Sequence, residues 1–224
     1  GQPVVLVHGV GSSSVYFGRL VAVLARTRPV VALDLPGFGR STTPRRPLTV
    51  AEHAQVVGAL LADRGLDGAV LVGHSMGCQV VAHLLRRSPT AAARAVLLGP
   101  TADDRARSAL RQGLRLARNA ALEPASLLPV QTRSYLACGP RTYLGTVRAM
   151  LADRIEESLA HARVPVLLVR GEHDPIVPRR WLAALAAVTP HAAVAEVPGA
   201  RHVAQWSHPG VVGELCTRGR GGPG

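Results

Sequence analysis

The residues of this sequence that could do chemistry gather around one serine. In VLVGHSMGCQV (70–80) an aliphatic run stops at Gly73, presents Ser75, and resumes after Gly77. Glycines two residues to either side remove the Cβ atoms that would collide where a strand turns sharply into a helix. The hydroxyl is then lifted clear of the sheet, at a helix N-terminus where the Met76 N–H faces any oxyanion formed on it. A serine hydroxyl is a weak nucleophile and needs a base. Of nine histidines, His202 in VPGARHVAQW follows the last strand, where a loop at the carboxyl edge of a sheet reaches such a serine; His208 is the runner-up. A base needs a carboxylate to fix its tautomer and stabilise the imidazolium. Asp174 in RGEHDPIVP follows a strand at the same edge, and Glu172, Asp153 and Asp34 are less well placed.

The first strand supplies a second oxyanion donor. LVHGVG (6–11) ends it with His8 and Gly9; glycine lets the backbone come close, Val10 offers its N–H, and His8 organises the loop by hydrogen bonding. His74, Val203 and Trp206, neighbours of the serine and the histidine, are the candidate substrate contacts. DLPGFGRS (34–41) reads as a structural turn.

The elements that must position these residues form an α/β pattern. Residues 3–7, 30–34, 69–73, 95–99 and 165–171 read as near-continuous apolar strands, with 192–197 a weaker sixth, as expected of a mostly parallel twisted sheet covered by helices on both faces. Helices are expected over 14–27, 49–64, 76–88 and 178–188. The second opens on Thr49 and Glu52 at capping-box spacing, and Pro178 suits the first turn of the last. Residues 101–163 break the rhythm, with helical periodicity over 107–122 and 143–162, too long a stretch for a connecting loop. The expected organisation is an α/β core over 1–100 and 164–217, a helical lid inserted at 101–163, and a Gly-rich disordered tail at 218–224.

Composition excludes more than it assigns. The net charge of +12 comes from 26 arginines and no lysine, spread along the chain without the clustered stripe of a nucleic-acid binder. No apolar run approaches the ~20 residues of a membrane span. Cys78, Cys138 and Cys216 are too far apart for a metal site and odd in number, which favours buried thiols in a reducing compartment and a cytoplasmic location. No metal or organic cofactor is expected, no nucleic-acid partner, and the sequence leaves the oligomeric state open.

In this order HGVG, DLPGFGRS, GHSMG, GEHDPIVP and GARH resemble the α/β-hydrolase family along almost the whole chain. The family usually has two strands before the one ending in HG, so the chain resembles an N-terminally shortened member. The resemblance implies a Ser75–His202–Asp174 triad, an oxyanion hole at Val10 and Met76, a helical lid over residues 101–163, and two-step hydrolysis through an acyl enzyme. A carboxylic ester is the expected substrate, since the dehalogenase and epoxide-hydrolase branches look for aspartate where Ser75 stands. HVAQWSH (202–208) is also similar to hydrolases that cleave carbon–carbon bonds in ring-fission products. For these, Arg111, Arg115, Arg118, Arg133 and Arg148 are candidate carboxylate ligands, but they typically carry Asn at position 74 and Trp at position 203 of this chain. A noncatalytic ligand-binding protein on the same fold ranks third.

Overall fold

In the computed structural model, residues 1–120 and 122–217 are described; the expected disordered tail, 218–224, lies outside them. The described residues contain a six-stranded, all-parallel sheet in the order β2-β1-β3-β4-β5-β6. Its strands are β1 (Val4–Val7), β2 (Val30–Leu33), β3 (Ala69–His74), β4 (Ala92–Leu98), β5 (Val166–Gly171) and β6 (Ala192–Val197). Because both faces are covered, alternate residues of one strand feed two cores. Val5, Val7, Leu71, Ala95 and Leu97 pack beneath α2 (Val50–Asp63), α3 (Met76–Arg87) and α7 (Arg179–Val188). Val4, Leu6, Val70, Val72 and Val96 pack beneath α1 (Gly18–Leu24) and α9 (Pro209–Thr217).

β2 lies on one flank of β1 and β3 on the other, so consecutive connections leave β1 in opposite directions. That reversal opens a crevice at the carboxyl ends of β1 and β3, where parallel α/β sheets bind ligands. HGVG and GHSMG border it.

Between β4 and β5 the chain forms α4 (Ala109–Ala120), α5 (Leu128–Ala152) and α6 (Ile155–Leu159), and after β6 the short α8 (Ala204–Ser207) precedes α9. Several boundaries differ from the sequence expectation. The helix expected over 14–27 is a 3₁₀ turn, Ser14–Phe17, followed by α1. The Asp34 carboxylate takes the Ser14 N–H at 2.7 Å, and α1 gives way to turns after Leu24, ahead of Pro29. A helix over 143–162 becomes the kinked α5 and the separate α6. α5 accommodates Pro129 in its first turn and bends at Gly139 (φ 70°, ψ 161°) ahead of Pro140. It stops at Asp153, whose extended backbone aims the carboxylate at Gln79 Nε2 and His83 Nε2 on α3. Pro178 is the N-cap of α7, one residue before the first turn. Thr49 and Glu52 form the reciprocal capping box at the start of α2.

The turn from β3 into α3 is tightly constrained. A Cβ on Gly77 would lie 2.1 Å from the Val7 carbonyl oxygen, and one on Gly73 2.5 Å from the Gly77 carbonyl oxygen. Both contacts are backbone, which cannot rotate away. Gly77→Ala is therefore expected to cost about 1–3 kcal/mol, read as a melting midpoint lowered by roughly 3–10 °C in a thermal scan. An unchanged midpoint would show that β1 and α3 can separate without loss.

Candidate active site

Ser75 is the N-cap of α3 and has φ 55° and ψ −120°, a left-handed conformation rare for a residue with a Cβ. The flanking glycines let the backbone take it. Gly9, at the end of β1, comes close enough that a Cβ there would sit 2.9 Å from Ser75 Cβ. The loop carrying Val10 thus lies directly over the serine, with Met76 opening α3 on its other side.

His8 ties this loop down. Its Nε2 accepts the Leu35 N–H at 3.0 Å, so Nδ1 carries the proton and donates to the Gly9 carbonyl at 2.8 Å. Burial lowers its pKa to about 4, which keeps this tautomer neutral. His74 is fixed in the same way. Its Nε2–H donates to the His202 carbonyl at 3.0 Å, and its Nδ1 accepts from the Tyr16 hydroxyl at 2.5 Å. The Tyr16 oxygen accepts the Gly9 N–H at 3.3 Å. Burial holds the His74 pKa well below the ordinary imidazole value. His74 borders the cavity above Ser75, but both ring nitrogens are already engaged.

His202 Nδ1 donates to Asp174 Oδ2 at 2.8 Å, leaving Nε2 unprotonated in the neutral ring. The other carboxylate oxygen, Oδ1, accepts the N–H groups of Ile176 and Val177 at 2.7 and 3.1 Å. Buried Arg170, at the end of β5, braces this loop by donating to the carbonyls of Asp174 and Val177, and Glu196 offsets its charge. Burial alone would lower the His202 pKa. Attraction and hydrogen bonding to Asp174, with a contribution from Glu123, outweigh it and raise the pKa above 6.5. Gly99, with φ 60°, leaves room for the ring, since a Cβ there would lie 2.8 Å from His202 Cε1.

Ser75 and His202 border one cavity of about 580 Å³, walled by Leu116, Leu127, Leu144, Val147, Met150 and Ile176 with Gly9 and Val10 at its base. Val203 borders it too. Trp206 does not: its Nε1–H bonds the Ser126 hydroxyl and Arg19 stacks on its ring at 4.4 Å, so this candidate substrate contact is a packing residue behind the histidine loop. The arginines offered as carboxylate ligands are also placed elsewhere. None borders the cavity. Arg115 pairs with Asp103 at 2.7 Å, and with Arg118 it borders a separate, open depression outside the Asp174 loop. Among the other carboxylates, Glu172 accepts the Gly199 N–H, Asp153 faces α3, and Asp34 accepts the N–H groups of Ser14 and Arg40. His208 reaches only the Ser207 hydroxyl among the described contacts. Cys78, Cys138 and Cys216 are buried free thiols. Among the described residues no cluster of three or more His, Cys, Asp or Glu is placed to hold a metal, and no helix is long and apolar enough to cross a membrane.

Sequence reasoning missed Tyr16, Gly99, Asn119 and Glu123. Gly99 had a signal, a glycine ending a strand at the active edge. The others had none, because their partners lie 58 to 83 residues away.

Residues 4–215 match the model of the alpha/beta hydrolase family. The chain is an α/β-hydrolase. Among relatives of this α/β-hydrolase, a putative carbamate hydrolase, RutD of Azorhizobium caulinodans, is 25% identical, covering 96% of this chain and 89% of that protein. Several others match over only 26–36% of their own length. Solved structures with the same fold include a thermophilic esterase from Thermogutta terrifontis (TM-score 0.82, 21% identity, 96% of this chain and 88% of that one). Another is the enol-lactonase from Burkholderia xenovorans LB400 (TM-score 0.81, 20% identity, 96% and 89%).

The histidine environments predict an order of titration. On acidification His202 should protonate first, above pH 6.5, while His8 stays neutral to about pH 4. Imidazole ¹⁵N NMR reads both midpoints; a His202 midpoint below His8's would contradict the assigned hydrogen bonds. The depressed groups, His8, His53 and His74, have a consequence for stability. Below pH 6.5 the unfolded chain binds protons that the native chain refuses, so stability falls as pH drops. The expected loss is on the order of 1–2 kcal/mol per such histidine by pH 5, offset in part by His202. Equilibrium denaturation at pH 7.5 and 5 measures the difference.

Proposed function

We propose that this α/β-hydrolase is a carboxylic ester hydrolase of small to medium neutral substrates, working through an acyl enzyme on Ser75. One observation carries the reading: Ser75 and a His202 already paired with Asp174 open onto the same largely apolar cavity. His202 Nε2 takes the hydroxyl proton as Ser75 Oγ attacks the ester carbonyl. The Val10 and Met76 N–H groups stabilise the oxyanion, each such donor being worth about 10²–10³ in rate. The tetrahedral intermediate collapses, the bond to the alcohol oxygen breaks, and His202 returns the proton to that oxygen. Water then repeats the sequence on the acyl enzyme and releases the acid. The helical insertion, 101–163, acts as a lid whose inner faces shape the acyl pocket.

Esterase and lactonase neighbours share this fold and fit the reading. Carbon–carbon cleavage of ring-fission products is less well supported, because the cavity has no arginine to hold the carboxylate of such a substrate. The lining carries the Glu123 carboxylate instead, which repels one.

Ser75→Ala and His202→Ala are each expected to lower kcat on p-nitrophenyl butyrate by at least 10³-fold with the fold intact by circular dichroism. Asp174→Asn should lower it by about 10⁴-fold through the wrong imidazole tautomer. Retained turnover in either alanine variant would remove the assigned nucleophile or base. Ligand binding without any turnover in the parent would favour a noncatalytic role. In a matched pair of p-nitrophenyl esters, the neutral acyl chain should exceed its carboxylate-ended counterpart by at least tenfold in kcat/KM. A preference for the carboxylate would return carbon–carbon cleavage to first place.

A further inference from the structure

The backbone of the candidate base is held by elements other than its own. His202 and Val203 precede the short helix α8, so their N–H groups have no partner within that helix. Both are taken by the insertion between β4 and β5. Asn119 Oδ1, in the last turn of α4, accepts the His202 N–H at 3.3 Å, and Glu123 Oε1, in the turn that follows, accepts the Val203 N–H at 2.9 Å. Asn119 Nδ2 donates to the same Glu123 oxygen at 3.0 Å, which locks the two acceptors together. From the opposite side His74 Nε2–H takes the His202 carbonyl. Asn119 is 2% exposed, so its bond to the His202 N–H is shielded from water, and Glu123 is half-buried.

This arrangement has more in it than packing requires. A face of α4 that only covered an apolar cavity would present leucines. Here Asn119 lines the cavity beside Leu116 on α4, and Glu123 does so from the turn that follows, while Leu110 and Leu114 are exposed. The two polar side chains are matched to two consecutive N–H groups of one loop, and that loop carries the candidate base.

We propose that Asn119 and Glu123 are positioning residues that latch the His202 loop to α4, so that the base reaches its working position only while α4 is docked. The proposal rests on Ser75 and His202 acting as nucleophile and base. It gives the insertion a role in assembling the site as well as in shaping the pocket. A displacement of about 1 Å at a reacting group can cost on the order of 10²-fold in rate, and the latch is two hydrogen bonds from that group.

The charged and titratable groups facing the His202 ring are Asp174 from the loop after β5, Glu123 from the turn after α4, and neutral His74 from β3. Glu123 therefore acts on His202 through space as well as through the Val203 N–H, and the two actions separate by substitution. Glu123→Gln keeps an acceptor for the N–H and removes the charge, whereas Glu123→Ala removes both.

The test uses the full chain and two readouts: hydrolysis of p-nitrophenyl acetate, and the rate at which a fluorophosphonate labels Ser75, which needs the base but no ester turnover. Asn119→Ala and Glu123→Ala are expected to lower kcat and the labelling rate together by about 10–100-fold, with KM for this small ester changed less than threefold. Glu123→Gln should recover most of the rate lost in Glu123→Ala, with the acid limb of its pH profile moved to lower pH. Rates within threefold of the parent in both alanine variants would overturn the latch. So would equal losses in Glu123→Ala and Glu123→Gln with an unmoved acid limb. If the alanine variants do not fold, Asn119→Leu, which fills similar space without an acceptor for the His202 N–H, decides: a labelling rate lowered more than threefold supports the latch, and a rate within threefold of the parent overturns it. Labelling without hydrolysis in the parent would sink the ester reading while leaving the latch measurable by labelling rate. A parent that does not label would overturn both.

Discussion

Everything at this site depends on the approach of the first turn of α3 to the end of β1. Gly77 packs against the carbonyl oxygen of Val7 so closely that a single methyl group would be forced into it, and Gly9 reaches Ser75 from the other side. This backbone contact fixes three things at once. It holds Ser75 in its left-handed conformation, brings the loop bearing Val10 over the serine, and puts both at the crevice where the sheet reverses direction. Strain of roughly 1–3 kcal/mol at such a residue persists only where its surroundings over-determine it. Here they do, because β1 is paired with β3 along its whole length and both strands are buried on both faces.

The polar groups around that contact are arranged so that one titratable ring can change its charge while its neighbours do not. His8 and His74 each spend both nitrogens on fixed partners and are held neutral by burial. They serve as rigid cross-links, one between the ends of β1 and β2, the other between the serine turn and the histidine loop. His202 has a carboxylate on one nitrogen only. Its pKa is raised where theirs are lowered, although all three are buried. The difference is the partner: a charged acceptor stabilises the imidazolium, whereas carbonyls, a hydroxyl and an N–H do not compensate for its lost hydration.

The parts of this structure that were legible in the sequence are those set by local rules. The strands announced themselves as apolar runs because a parallel sheet buried on both faces admits little else, and the serine turn did so because only glycine fits there. The order of Ser75, Asp174 and His202 along the chain followed from strand ends at one edge of the sheet. What was illegible was set by which way a helix faces after docking. α5 carries Pro129, Gly139 and Pro140, residues that disfavour a continuous helix, yet it runs from Leu128 to Ala152 with a kink at Gly139, its C-terminal arm tied to α3 through the Met150 carbonyl. Trp206, a candidate substrate contact from its place in HVAQWSH and also a candidate packing residue behind the histidine loop, turns its ring toward Arg19 and Ser126.

The insertion shows why specificity is harder to read than chemistry. Its arginines are abundant, and spacing alone cannot tell which of them point inward. Asp103 decides part of the answer. Fully buried at the start of the insertion, it draws Arg115 from α4 and Arg180 from α7 to its two carboxylate oxygens, which turns the cationic side of α4 away from the cavity. The opposite side of α4 then meets the histidine loop through Asn119, with Glu123 in the turn that follows. A buried aspartate far from Ser75 in sequence thus bears on which side chains of α4 face the cavity and the His202 loop. No spacing rule could link them, because the link passes through the orientation of one helix.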